Sequence, residues 1–244
     1  MTSTRSPEPI ASRQPGAFSK ALIRLFMKQA TVAASEPVGE GFHLITLESP
    51  EFVGAAWVPG EKVQIALGSA FTTRTYTPIE WDATAGRTRI LAYVHGSCGP
   101  GSDWVRTARP GDACDVFGPR SSLDLTALPA PIVLFGDETA FGLALAAGQG
   151  AQCLFEVNSA EAAQPVLEHL GLGTSKLFAR RPGDDHLPEI ERLLAAPAAS
   201  GAFFVLTGKA TSIQRLRQTL KVLDVPATRI RTKAYWAPGK AGLD

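Results

Sequence analysis

Three short stretches carry the residue types that chemistry uses. The first is Arg74-Thr75-Tyr76-Thr77-Pro78; about twenty residues later comes His95-Gly96-Ser97-Cys98-Gly99-Pro100-Gly101-Ser102-Asp103-Trp104. In an extended segment successive side chains alternate, so Arg74, Tyr76 and Pro78 share one face and Thr75 and Thr77 the other. A flat ring can then lie against Tyr76 while Arg74 offers a forked donor to a phosphate. The second stretch is a glycine-rich turn leading into a short helix, whose backbone N–H groups suit a pyrophosphate. The third, Gly136-Asp137-Glu138-Thr139, follows the apolar run Pro131-Ile132-Val133-Leu134-Phe135. Each alone also suits an ordinary role: a β-prone strand ended by Pro78, or a turn with a helix cap. The combination, in this order, reads as a flavin dinucleotide site.

The elements that must position these residues fall into two rhythms. From about Ala30 to Gly118 short strands are broken by Gly and Pro: Ala30 to Ala34, Phe42 to Leu47, Lys62 to Leu67, Thr73 to Ile79, Thr88 to Val94 and Ala113 to Phe117. That spacing predicts an antiparallel barrel or sandwich. A short helix is expected at Phe18 to Met27. After Pro119 strands at Pro131 to Phe135, Gln152 to Val157, Lys176 to Ala179, Ala202 to Leu206 and Arg229 to Tyr235 alternate with helices. The helices are expected at Ala140 to Ala147, Glu161 to Leu170, Pro188 to Ala196 and Ser212 to Leu223, with Asn158 and Glu161 as a capping box. Alternating strands and helices imply a parallel sheet wound by right-handed crossovers. The expected organisation is a tail over 1–16, a β-barrel domain over 17–126 and an α/β domain over 127–244. Ligands of open α/β sheets sit outside the strands' carboxyl ends. Asp137 to Thr139 occupy such an end and should face the barrel's cofactor across a cleft.

Composition narrows the partners. The chain has 244 residues, 45% of them hydrophobic, and a formal charge of +1, which gives no argument for nucleic acid or an anionic membrane. No apolar run reaches bilayer length, and the Ser-, Pro- and Arg-rich N-terminus lacks an apolar signal core, so a cytoplasmic protein is expected. Three cysteines without close spacing suit a reducing compartment, and no metal-ligand cluster is evident.

Taken together, the residues resemble the siderophore-interacting protein family, flavin-dependent ferric-siderophore reductases of the ferredoxin–NADP reductase superfamily. The markers are RTYTP (Arg74 to Pro78), HGSCGPGSDW (His95 to Trp104), GDACDVFGPR (Gly111 to Arg120), GDETA (Gly136 to Ala140) and Ala234-Tyr235-Trp236. The resemblance implies an FAD-binding antiparallel β-barrel followed by a Rossmann-like, NAD(P)H-type α/β domain. It implies that Arg74, with Thr75 beside it, binds the FAD phosphates, that Tyr76 packs on the isoalloxazine, and that Thr77 hydrogen-bonds near the reactive edge. His95 and Gly96 would line the strand end beside the cofactor. Gly99, Pro100, Gly101 and Ser102 would hold the pyrophosphate, with Trp104 fixing the loop. Glu138 and Thr139 would act on the nicotinamide or substrate side, and Tyr235 and Trp236 would close the cleft. A rim of Arg120, Lys209, Arg231, Lys233 and Lys240 would steer an anionic ferric chelate.

The activity implied is electron transfer from NADH or NADPH through FAD to iron(III), releasing iron(II), with iron as substrate and not as a resident metal. Two alternatives share the cleft: an NAD(P)H-dependent flavin or quinone reductase, and a flavin electron-transfer module fed by a protein donor. Where the family carries a Trp-x-Ala-Gly-Glu-like stretch and arginines after Tyr-Trp, this chain has Val205 to Ala210 and Ala237-Pro238-Gly239-Lys240.

Overall fold

The computed structural model describes residues 27–69, 72–94, 99–126, 128–148 and 150–239. The expected tail over 1–16, the helix expected from Phe18, and His95, Gly96 and Lys240 lie outside the described residues.

Seven strands form the first sheet: β1 (Lys28–Gly39), β2 (Phe42–Glu48), β3 (Lys62–Ser69), β4 (Thr72–Tyr76), β5 (Pro78–Asp82), β6 (Arg87–Tyr93) and β7 (Ala113–Arg120). All pair antiparallel, in the order β4-β3-β7-β1-β2-β6-β5. Alternation drives the curl. Val32, Ile45, Leu47, Val63, Ile65, Ile90 and Val116 share one interior, plugged by Phe52 from the Pro50–Phe52 turn. Burying these seven aliphatic chains contributes on the order of 10 kcal/mol before chain entropy is subtracted.

One expectation needs correction here. Thr73 to Ile79 is not a single strand: β4 ends at Tyr76 and pairs with β3, whereas β5 starts at Pro78 and pairs with β6. Pro78 has a fixed φ and no N–H, so it ends one ladder and can only begin the next. Thr77 is therefore the hinge between the sheet's two edge strands.

The second sheet is parallel, with β8 (Ile132–Gly136), β9 (Ala151–Val157), β10 (Lys176–Ala179), β11 (Phe203–Lys209) and β12 (Ile230–Trp236) in the order β10-β9-β8-β11-β12. The helices are α1 (Pro100–Thr107), which belongs to the barrel, then α2 (Phe141–Ala147), α3 (Ala160–His169), α4 (Leu187–Leu193), α5 (Ala195–Ala199) and α6 (Ala210–Val222). The single helix expected at Pro188 to Ala196 is thus two, parted at Leu194. The cap of α3 is Ser159 and not Asn158: its Oγ accepts from Ala162 N at 3.0 Å, leaving Asn158 for other work.

Both faces of the parallel sheet are covered, as its continuous apolar strands require. Leu134, Phe155 and Val205 pack with α2 and α3; Val133, Phe135, Phe204 and Leu206 pack with α4 and α6. The first of these cores runs on into the barrel through Phe42 and Leu91. Phe42 stacks on Phe141 with centroids 5.2 Å apart. Among the described residues no helix is long and apolar enough to cross a membrane.

Candidate functional site

The barrel half of the site is built by β4 and α1. Arg74 lies across the first turn of α1, where a methyl group added to Gly101 would come within 2.8 Å of the Arg74 Cγ. A side chain at 101 would push the guanidinium off the helix start, so glycine is what lets the two meet. Arg74 Nη1 donates to the Thr73 carbonyl at 2.8 Å, which fixes the arm. The first turn of α1 offers N–H groups that have no acceptor within the helix, and Pro100 sits in the one position where a missing N–H costs nothing. A cation and a positive helix end thus face the same space. Tyr76 and Trp104 pack with centroids 5.9 Å apart. Burial pushes the Tyr76 hydroxyl above the ordinary tyrosine range, partly offset by Arg74, so it stays a neutral donor. Thr75 faces the other way, opposite Gln64 of β3.

The α/β half is a charged cluster at the strands' carboxyl ends. Asp137 is fully buried, and its Oδ1 accepts from Thr139 N at 2.9 Å and from the Thr139 hydroxyl. Its Oδ2 accepts from the Trp236 indole at 2.6 Å. Glu138, only 6% exposed, accepts from Asn158 N at 2.6 Å and from both terminal nitrogens of Arg180 at 3.2 and 2.8 Å. Arg180 also donates to Asn158 Oδ1 at 2.7 Å and lies 5.8 Å from the Trp236 ring centre. Asn158 Nδ2 donates in turn to the Tyr93 hydroxyl of β6 at 3.2 Å, carrying the network onto the barrel. Two buried carboxylates are tolerable only because this guanidinium and these N–H groups satisfy them.

The halves meet at Thr77. Its carbonyl would stand 3.4 Å from a methyl group at Gly142, so α2 packs against the β4–β5 hinge with room there for a methyl and little more. Beside Thr77 lies Tyr235, whose hydroxyl burial pushes up out of its ordinary range; the Thr77 side chain works against that shift and Asp137 adds to it.

The sequence-expected residues therefore divide. Arg74, Gly101, Tyr76 and Trp104 come together on one side, and Thr77, Glu138, Thr139, Tyr235 and Trp236 on the other. The expected rim is spread over separate partners. Arg120 stacks on Phe117 at 4.5 Å and donates to Gln64 at 2.7 Å; Lys209 pairs with Asp184 at 2.6 Å; Arg231 turns back to the Thr228 and Ile230 carbonyls. Sequence reading missed Arg180, Asn158 and Tyr93. A basic residue directly after a strand and an Asn at another strand's end were the available signals, and neither is distinctive.

A curled antiparallel sheet, then a parallel α/β sheet packed against it, is the ferredoxin-reductase-like architecture. Several solved structures share it. The siderophore-interacting protein SipS from Aeromonas hydrophila superposes with a TM-score of 0.70 at 21% identity, over 88% of this chain and 93% of that one. A siderophore utilization protein from T. fusca gives 0.66 at 22%, over 89% and 95%. The FAD/NAD-binding domain of a nitric oxide dioxygenase from Vibrio cholerae gives 0.67 at 18%, over 86% and 99%. No curated protein sequence matches the chain. The model of the siderophore-interacting FAD-binding domain matches residues 17–123, and that of the siderophore-interacting protein matches 123–239. The chain belongs to the siderophore-interacting protein family. Arg74, lying over the α1 start beside N–H groups that have no acceptor within the helix, fits the FAD that this family's first domain binds.

Proposed function

We propose that the protein is an FAD-dependent ferric-siderophore reductase that takes electrons from NADH or NADPH and releases iron as iron(II). The observation that carries this reading is the convergence of the two halves. Arg74, lying over Gly101, sits midway along β4, and the Thr77 hinge that meets Gly142 and Tyr235 lies just beyond that strand's end. Bound there, FAD would supply the conversion of a two-electron donor into single-electron deliveries. Arg74 and the α1 N–H groups would neutralise its pyrophosphate. Tyr76, held against Trp104, would set the plane of the ring. Thr77 would offer its hydroxyl at the domain boundary, oriented by Tyr235. Asp137, Glu138 and Arg180 would fix Trp236 beside the donor's path and keep water from it. No side chain need transfer a proton to the iron centre, and reduction weakens iron's hold on hard oxygen ligands.

The rim favours a second reading for the acceptor. Arg120 and Lys209 are already paired, so an anionic chelate would have to compete for them. An NAD(P)H-dependent flavin or quinone reductase places no such demand. The test is the anaerobic visible spectrum of the FAD-loaded protein as NADH, NADPH and then a ferric chelate are added. Bleaching followed by recovery with the chelate supports the ferric reductase. Recovery only with quinone or free flavin supports the second reading. A spectrum that neither nucleotide bleaches sinks both and points to a protein donor.

A further inference from the structure

Beneath the charged cluster lies a second polar group that none of the roles above uses. Glu156 of β9 is fully buried, and His186, just before α4, is 1% exposed. The His186 Nε2 lies 2.8 Å from Glu156 Oε2, and the Ser212 hydroxyl of α6 donates to the same oxygen at 3.0 Å. On the other side of the ring, His186 Nδ1 lies 3.3 Å from the Arg181 backbone N. A backbone N–H can only donate, so Nδ1 must accept. A neutral imidazole then keeps its proton on Nε2 and donates a hydrogen bond through it to Glu156. This hydrogen-bond pattern assigns the tautomer.

The placement matters because Arg181 follows Arg180, whose guanidinium holds Glu138, Asn158 and the face of Trp236. Arg180 N is itself bonded to the Val157 carbonyl at 2.8 Å, one residue beyond Glu156. The Arg180–Arg181 step is thus fixed at one point by the backbone of β9 and at the next by a side chain seated on β9. We infer that His186 is a positioning residue: as the Nε2–H tautomer it ties the Arg180–Arg181 backbone to Glu156, and so sets where the Arg180 guanidinium meets Glu138 and Trp236. Burial pushes the Glu156 carboxyl above its ordinary range; the His186 and Ser212 hydrogen bonds and then the Arg180 charge work against that, and Asp137 adds to it. Asp184, two residues before His186, is occupied by Lys209. Neither the His186 tautomer nor the place of Trp236 depends on what the protein reduces; only the donor KM below rests on the nicotinamide donor proposed above.

Two substitutions separate the ring's two ends. In His186→Asn the amide oxygen stands near the Nδ1 position and can still accept from Arg181, while the reach to Glu156 is lost. In His186→Gln the amide nitrogen stands near the Nε2 position and can still donate to Glu156, while the acceptor for Arg181 is lost. The FAD-loaded full chain, labelled with nitrogen-15, gives the readouts: the imidazole tautomer of His186 and the indole N–H resonance of Trp236, assigned by its loss in Trp236→Phe. The expected result is an Nε2–H tautomer in the native protein, a moved indole resonance in His186→Gln, and a resonance near its native position in His186→Asn. KM for the nicotinamide donor should rise about two- to tenfold in His186→Gln alone, the span of one neutral hydrogen bond, with the flavin spectrum unchanged. An Nδ1–H or doubly protonated ring in the native protein overturns the inference, and that measurement stands even if a variant does not fold. An indole resonance indifferent to His186→Gln overturns it equally.

Discussion

Arg74 is where one side chain decides most. A hydrogen-bonded cation facing a phosphate is worth about 1.5–3 kcal/mol, so Arg74→Ala should weaken FAD binding roughly tenfold to a hundredfold. Equilibrium titration followed by flavin fluorescence measures it; affinity within twofold of native would remove Arg74 from the phosphate site. The glycine beneath it gives an independent check. In Gly101→Val the new side chain occupies the space of the Arg74 stem, which is 2.8 Å from where a Cβ would stand. FAD affinity should fall as it does for Arg74→Ala while Arg74 itself is still present. At this scale the sequence displayed the barrel half well, because an Arg and a Tyr two apart followed by a glycine-rich turn is an uncommon local pattern. It hid Arg180, whose role exists only because β8, β9 and β10 end side by side. Replacing Arg180 by Met keeps the length and removes the charge. Glu138 is then left buried without its cation, which costs about 3–5 kcal/mol for such pairs. Denaturant unfolding should show that loss, and Arg180→Lys should recover only part of it, since a single ammonium cannot hold both carboxylate oxygens.

Elements came through the sequence with their types intact and their joints blurred. The strand positions of the parallel sheet follow from short apolar runs, and Lys176–Ala179 is where it was expected. The joint at Thr77 was lost because Thr and Tyr favour strands on both sides of it, and only the pairing partners reveal that β4 and β5 lie on opposite edges. Where α2 meets that joint the residue is Gly142, and two effects compete there. Gly142→Ala gains about 0.5–1 kcal/mol of helix propensity and puts its methyl 3.4 Å from the Thr77 carbonyl, in ordinary contact that leaves no room to spare. Near-neutral stability is expected. Gly142→Val adds two methyl groups toward Thr77, Ile79 and Leu91, and overpacking costs about 1–3 kcal/mol. If thermal unfolding ranks Val equal to Ala, the helix does not press on the hinge as the structure shows.

Across the whole molecule, the decisive feature is that the interface between barrel and α/β domain is a core and not a wet seam. Phe42 of β2 stacks on Phe141 of α2, Phe141 packs against Phe155 of β9, and all three are essentially without solvent contact. Tyr93 lies 4.7 Å from Phe42, and its hydroxyl receives Asn158. Relative domain motion is the default where an interface is small and polar; here a stacked aromatic triad argues for one cooperative unit. Phe42→Ala removes the barrel's part of it. The change should cost about 3–5 kcal/mol, of which a cavity accounts for part. Because the lost contact joins the domains, the cost should fall on their coupling: calorimetry of the FAD-loaded native chain should show one transition, and of Phe42→Ala two, with only the barrel's midpoint raised by FAD. Ile45→Ala, inside the barrel interior alone, should lower stability comparably, by about 2–5 kcal/mol, and leave a single transition. Two transitions in the native protein would mean that the aromatic stack does not couple the halves, and the ligands that bind between them would then have to supply that coupling.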